Sequence, residues 1–183
     1  TVRQFHAEGA HVVISARRVE ELERVAESCG DDGYVMVLPF DVTDEKAVAP
    51  AVRAVMSRFG RVDILFNNAG ITQRARVADA GLPVYRTLMD VNFFGPLMLT
   101  KAVLPSMLER GSGHIVCTTS VAGKYGSPMR SGYNAAKHAA HGFFDSLREE
   151  VSDSGIDVTL IVPGAVRTNV SINALRGDGS RYD

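Results

Sequence analysis

The chain has 183 residues, 20 Lys+Arg against 21 Asp+Glu, a formal net charge of −1, and 45% hydrophobic and 22% charged residues. These proportions are those of a globular domain; they exclude a disordered polar chain and lack the basic excess of a nucleic-acid binder. Cys29 and Cys117 are too few for a disulfide scaffold, no apolar run approaches the ~20 residues of a membrane span, and the opening residues 1–6 hold no apolar leader core. The expectation is one cytoplasmic domain over residues 1–183, with no membrane segment in the chain.

The opening residues 1–8 have helical spacing and lead through Gly9 into a β-branched run at 11–15. A helix is expected over 19–28, with Leu22, Val25 and Ala26 on one stripe, then a strand at 34–38. Thr43 is the expected N-cap of a helix over 44–59, whose apolar stripe is Val48, Val52, Val55, Met56 and Phe59. A strand at 62–66, a helix around 82–92 and another over 96–110 follow. A strand at 114–119, a helix over 133–152 and a strand at 157–162 complete the series.

A glycine stands between each helix and the next strand (Gly9, Gly30, Gly60, Gly111, Gly155), as expected for left-handed closure of a helix. The apolar runs are mostly continuous, which fits strands covered on both faces. Strands alternating with helices predict an α/β fold: a Rossmann-like, doubly wound parallel sheet with helices on both faces, in three α/β/α layers. No strand and glycine turn precede the opening helix, and the polar tail 171–183 ends without a closing element. The natural protein is therefore expected to continue before Thr1 and after Asp183.

Tyr133 and Lys137 stand four apart, on one face of the last long helix. A tyrosine pKa near ~10 is too high for proton transfer at neutral pH, and a neighbouring ammonium lowers it. The spacing alone equally fits a surface Tyr–Lys pair, so the surroundings decide. Ser120 ends a strand where open α/β sheets bind their ligands, and a hydroxyl there can donate to a substrate carbonyl. Asn67-Asn68-Ala69-Gly70 follows the end of another strand, where small residues let a flat cofactor approach the backbone. Asn92 is a polar side chain in an apolar stretch. His138 and His141 have no further ligands in view and read as packing or surface histidines rather than a metal site, so no metal is expected.

Taken together, Asn67-Asn68-Ala69-Gly70, Asn92, Ser120, Tyr133-x-x-x-Lys137 and Pro163-Gly164 followed by Thr168 resemble a short-chain dehydrogenase/reductase of the single-domain type. The resemblance covers nearly the whole chain, except for the family's glycine-rich turn, which would lie before Thr1. It implies that Tyr133 transfers the proton, that Lys137 lowers its pKa and binds the nicotinamide ribose, that Ser120 polarises the carbonyl, and that Asn92 holds a relay water. It also implies that Asn68, Ala69 and Gly70 line the adenosine side, that Asp41 and Val42 meet the adenine, and that Pro163, Gly164, Val166 and Thr168 meet the carboxamide end.

At the end of the strand 11–15 the residues are Ser15-Ala16-Arg17-Arg18, with no carboxylate before Glu20. Arginines there suit a 2′-phosphate, so Arg17 and Arg18 favour NADP(H) over NAD(H). The expected function is an NADP(H)-dependent oxidoreductase that interconverts an alcohol and a ketone or aldehyde. A small-molecule substrate and a homodimer or homotetramer are implied by the resemblance. The alternative is a non-catalytic relative of the same fold, or a fragment that does not bind the cofactor.

Overall fold

The computed structural model describes residues 1–30, 33–166, 170 and 172–182. They form two compact units, Thr1–Gly60 and Arg61–Asp183.

In the first unit, α1 (Val2–Ala7) leads into β1 (Val12–Ile14), α2 (Val19–Glu27), β2 (Val35–Val37) and α3 (Glu45–Phe59). β1 and β2 pair in parallel, Val12 opposite Val35 and Ile14 opposite Val37. Parallel neighbours cannot be joined by a hairpin, so α2 makes the crossover. α3 begins at Asp44 rather than at the expected Thr43: the Asp44 carboxylate accepts the Lys46 N–H at 3.0 Å. Thr43 instead serves Asp41, donating its N–H and hydroxyl to Asp41 Oδ1 at 2.9 and 2.8 Å.

In the second unit, β3 (Ile64–Asn67), β4 (Gly113–Thr118) and β5 (Ile156–Ile161) form a parallel sheet with β4 central. The register sets Asn67 against Cys117 and Thr118 against Ile161. The strand expected at 62–66 is thus shifted toward its C-terminal end, and Asn67 lies within it. The helices α4 (Leu82–Met89), α5 (Gly95–Arg110) and α6 (Ser131–Glu150) supply the crossovers. Their apolar faces bury Leu88, Val103, Met107, Ala136, Ala140 and Phe144 around Ile115 and Cys117 of β4. β5 alternates rather than running continuously buried: Ile156 and Val158 are buried, Asp157 and Thr159 exposed. α6, which packs on β5, covers only the face that Ile156 and Val158 share.

The parallel strands with flanking helices are the expected Rossmann-like α/β class. The break expected between the helices at 82–92 and 96–110 is absent. A π turn (Asp90–Phe94) joins α4 to α5 in one helical stretch, Leu82–Arg110. The stretch has 29 residues and holds an 18-residue window of mean hydropathy 1.2, long and apolar enough to cross a membrane by length and composition. Core helices of globular proteins meet the same measure, and this one holds the buried Asn92 and Thr100. Expecting two helices, at 82–92 and 96–110, hid the length of the stretch.

All five linking glycines have positive φ, between 64° and 99°. At Gly155 the requirement is double. Its φ is 69°, and a Cβ there would run into the Gly111 carbonyl oxygen that closes α5. Gly155→Ala is therefore expected to destabilise the chain by about 2 kcal/mol or more, combining left-handed strain with a backbone clash. Chemical denaturation measures this, and Gly142→Ala, with open space at its Cβ position, is the control.

Candidate active site

α6 places Tyr133 and Lys137 one turn apart, with the Lys137 Nζ 5.8 Å from the centre of the Tyr133 ring. Lys137 is 4% exposed, and its ammonium donates to Thr118 O at 2.9 Å, at the end of β4. Burial pushes the Lys137 pKa down, with Cys117 opposing weakly. An ammonium has three protons to give, so this one retains donors for another acceptor. The Cys117 thiol lies behind it in β4; burial raises its pKa to about 11, which leaves it an inert apolar group at neutral pH.

The π turn fixes Asn92. Its Nδ2 donates to Leu88 O at 2.9 Å and Ile71 O at 3.0 Å, and its Oδ1 accepts the Ile71 N–H at 3.3 Å. A π turn leaves one helical carbonyl without its usual donor, and π turns recur where a helix bends around a functional group. Here the side chain of Asn92 clamps the loop after β3 to the helix. Within that loop, a Cβ on Gly70 would lie 3.1 Å from Asn92 Oδ1 and 3.6 Å from Lys137 Nζ. Gly70, Asn92 and Lys137 therefore meet around one cradle.

Ser120 follows β4 and opens a 3-10 turn (Val121–Gly123), where its Oγ accepts the Ala122 N–H at 3.1 Å. That bond uses an oxygen lone pair and leaves the hydroxyl proton to donate elsewhere. The turn is held by Val121 N–H donating to Pro163 O at 3.1 Å and by the buried ring of His141, which packs against Gly123. Asn68 accepts the Thr118 hydroxyl at 3.1 Å, and Asn67 donates to Thr100 Oγ1 at 3.3 Å, so the paired asparagines tie β3 to β4 and α5. Ala69 lies beside them in the same loop. Asn92, Ser120 and Lys137 are buried, while Tyr133 is half-buried. Gly164 and Val166 are exposed, and Thr168 lies outside the described residues.

In the first unit, Arg17 Nη1 lies 3.6 Å from Asp41 Oδ2, the arginine exposed and the aspartate half-buried in the loops after β1 and β2. Burial pushes the Asp41 carboxyl upward, but the Thr43 hydrogen bonds and the Arg17 charge outweigh it and hold it below its ordinary value. Val42 follows Asp41, and Arg18 is the exposed residue from which α2 starts.

Short-range sequence reading missed Gln73. It is fully buried in the loop after β3 and accepts the Tyr133 N–H at 3.2 Å. Ser131, the residue next to the start of α6 that could have capped it, instead pairs with the Tyr85 hydroxyl at 3.1 Å. The only available signal was that Pro128-Met129-Arg130 offers α6 no capping side chain.

The family model for short chain dehydrogenase matches residues 1–178. The chain belongs to the short-chain dehydrogenase family. Among curated relatives, it is 49% identical to the rat dehydrogenase/reductase SDR family member 7B over 98% of this chain and 58% of the relative. It is 46% identical to human dehydrogenase/reductase SDR family member 7 over 93% of this chain and 52% of the relative. The chain thus spans a little over half the length of these relatives. Among solved structures, a short-chain dehydrogenase from Streptomyces avermitilis superposes with a TM-score of 0.84 at 38% identity, covering 90% of this chain and 61% of that one. A metagenomic short-chain oxidoreductase in complex with NADP superposes at 0.85 and 30% identity, covering 90% and 75%. Both share the Rossmann-like α/β fold of this family member.

Proposed function

We propose that this short-chain dehydrogenase is an oxidoreductase that interconverts an alcohol and a ketone or aldehyde with NADP(H). The carrying observation is the buried Lys137 ammonium one helical turn from Tyr133, in a cradle formed with Gly70 and Asn92. A buried cation with one protein acceptor among the described residues is costly unless a further polar group completes its shell. The missing Cβ at Gly70 leaves room for such a group, and the hydroxyls of a nicotinamide ribose fit it. When bound, the nicotinamide supplies or accepts the hydride.

The protein's own residues then divide the work. Lys137 holds its ammonium beside the Tyr133 ring, within the cradle where the ribose hydroxyls would lie. Tyr133 gives a proton to the carbonyl oxygen in reduction, or takes one from the alcohol in oxidation. Ser120 donates its free hydroxyl proton to the same oxygen and orients it. Asn92 keeps the loop after β3 in place, and the implied relay water next to it returns the proton to Lys137. Asn68, Ala69 and Gly70 line the cofactor, and Pro163, Gly164, Val166 and Thr168 meet its carboxamide end.

The preference for NADP(H) rests on Arg17. Asp41 draws its guanidinium toward the end of β2 from a weak, exposed pairing that a phosphate would outcompete. NADPH at ~100 times its dissociation constant should stabilise the chain by about 2.7 kcal/mol, several degrees in melting temperature, and more than NADH does. Arg17→Ala is expected to weaken NADPH about tenfold, the loss of one charge-assisted phosphate contact, and to leave NADH unchanged. Equal losses for both cofactors would remove Arg17 from the 2′-phosphate. The absence of any shift with either cofactor would favour the non-catalytic reading.

A further inference from the structure

The geometry points to Gln73 as a positioning residue: its side chain is the N-terminal cap of the Tyr133–Lys137 helix and ties that helix to the hairpin formed by residues 174–182. The first four N–H groups of any α-helix lack partners within it and need acceptors from elsewhere. α6 finds none nearby. Arg130 stands at its N-cap with no side-chain hydrogen bond, and Ser131 is engaged with Tyr85. The Tyr133 N–H is one of these orphan donors, and Gln73 Oε1, 60 positions away in sequence, accepts it at 3.2 Å.

Three further observations show that this contact is built. Gln73 is completely buried, and among the described residues its Nε2 has no hydrogen-bond partner, so there its oxygen makes the side chain's contact. A buried amide donor without a partner is costly, and its retention implies that the oxygen contact is worth keeping. A Cβ on Gly132 would stand 2.5 Å from Gln73 Oε1, so only glycine at that position admits the amide. Tyr85 and Leu88 of α4 close the other side of the same spot.

The backbone around Gln73 is held from a different direction. Leu175 N–H donates to Thr72 O, and Arg74 N–H donates to Leu175 O, both at 2.9 Å, which forms a one-residue parallel bridge between Gln73 and Leu175. Leu175 in turn pairs with Arg181, and Tyr182 N–H returns to Ala174 O at 2.8 Å. Arg74 and Arg176 both lie over the Tyr182 ring, at 5.5 and 5.0 Å. The hairpin at 174–182 therefore grips residues 72–74, and Gln73 carries that grip to the backbone N–H of Tyr133. Any shift of the hairpin moves the residue that fixes where the helix begins.

Amide hydrogen exchange on the full chain, resolved by NMR, tests this directly. Gln73→Leu, which keeps bulk but loses the acceptor, should speed exchange at Tyr133 about fivefold, the size of losing a helix cap, while Ile115 in β4 is unchanged. Gln73→Glu, which keeps an acceptor oxygen at a helix N-terminus, should restore protection. Leu175→Pro, which removes the donor to Thr72 O on the hairpin side and constrains the backbone there, should also speed exchange at Tyr133. Unchanged exchange at Tyr133 in Gln73→Leu would overturn the proposal, as would equal acceleration at Ile115, which would mean general loosening. The kinetic arm rests on the oxidoreductase reading: with NADPH and a simple aliphatic ketone as probe, Gln73→Leu should lower kcat, leave the KM for NADPH unchanged, and be rescued by Gln73→Glu. A wild-type chain that consumes no NADPH with any carbonyl probe defeats the oxidoreductase reading, and the exchange arm still decides the role of Gln73.

Discussion

Tyr133→Phe is expected to reduce turnover by about 10²–10⁴-fold, the range for removing a general acid/base, while NADPH affinity stays within about twofold of wild type. The substitution deletes one hydroxyl. It leaves the Tyr133 N–H bond to Gln73 and the ring's place beside Lys137 intact, because both involve atoms other than the phenol oxygen. Cofactor binding, measured by the thermal shift with NADPH, separates a lost proton donor from a lost fold. Substantial turnover in the variant would assign proton transfer to another group.

Lys137→Met should produce a comparable loss of turnover together with a changed pH dependence of stability. Burial holds the Lys137 pKa below its ordinary value in the folded chain. Between the folded and the unfolded pKa the unfolded chain binds the extra proton, so wild-type stability rises with pH across that interval. Below the folded pKa the cost of the buried charge is felt in full, and above the unfolded pKa it is gone. Cys117 acts in the opposite sense: its raised thiol pKa contributes stability at neutral pH that is lost as pH climbs from about 9 through about 11. Removing the lysine should erase the rising component and leave only the alkaline fall. Urea denaturation of both chains between pH 7 and 11 measures the difference. Identical pH profiles would mean that the Lys137 ammonium is solvated in the folded protein and carries no burial cost.

Much of the framework was legible from spacing. The apolar stripes placed every long helix, and Gly60 and Gly111 close α3 and α5 in the left-handed conformation that is nearly free only for glycine, whereas α6 is capped by Val151, four residues before Gly155. The i,i+4 spacing of Tyr133 and Lys137 was visible because it depends only on helical geometry. What the spacing left open was which side of α6 faces inward, and the burial of Lys137 against the end of β4 settled it.

The misreadings share a physical origin. Thr43 and Asp44 are both good caps; the Asp44 carboxylate takes the Lys46 N–H, while the Thr43 hydroxyl is turned back to donate to Asp41. The helices expected separately at 82–92 and 96–110 are continuous. A proline near the start of a helix needs no backbone donor, and the π turn carries the chain through without a stop. Gln73 was invisible to any window of sequence, since its partner lies 60 positions away.

By itself the sequence determined the α/β class, the position of each crossover helix and the identity of the polar residues that the chemistry requires, all of which follow from side-chain periodicity and local backbone preference. Only the tertiary structure decided that Lys137 is desolvated, that Asn92 clamps a loop through a π turn, and that the cap of the Tyr133 helix comes from Gln73 beneath the hairpin at 174–182. Burial and long-range hydrogen bonding depend on where distant segments meet. That is a property of the packed chain, which no short stretch of sequence contains.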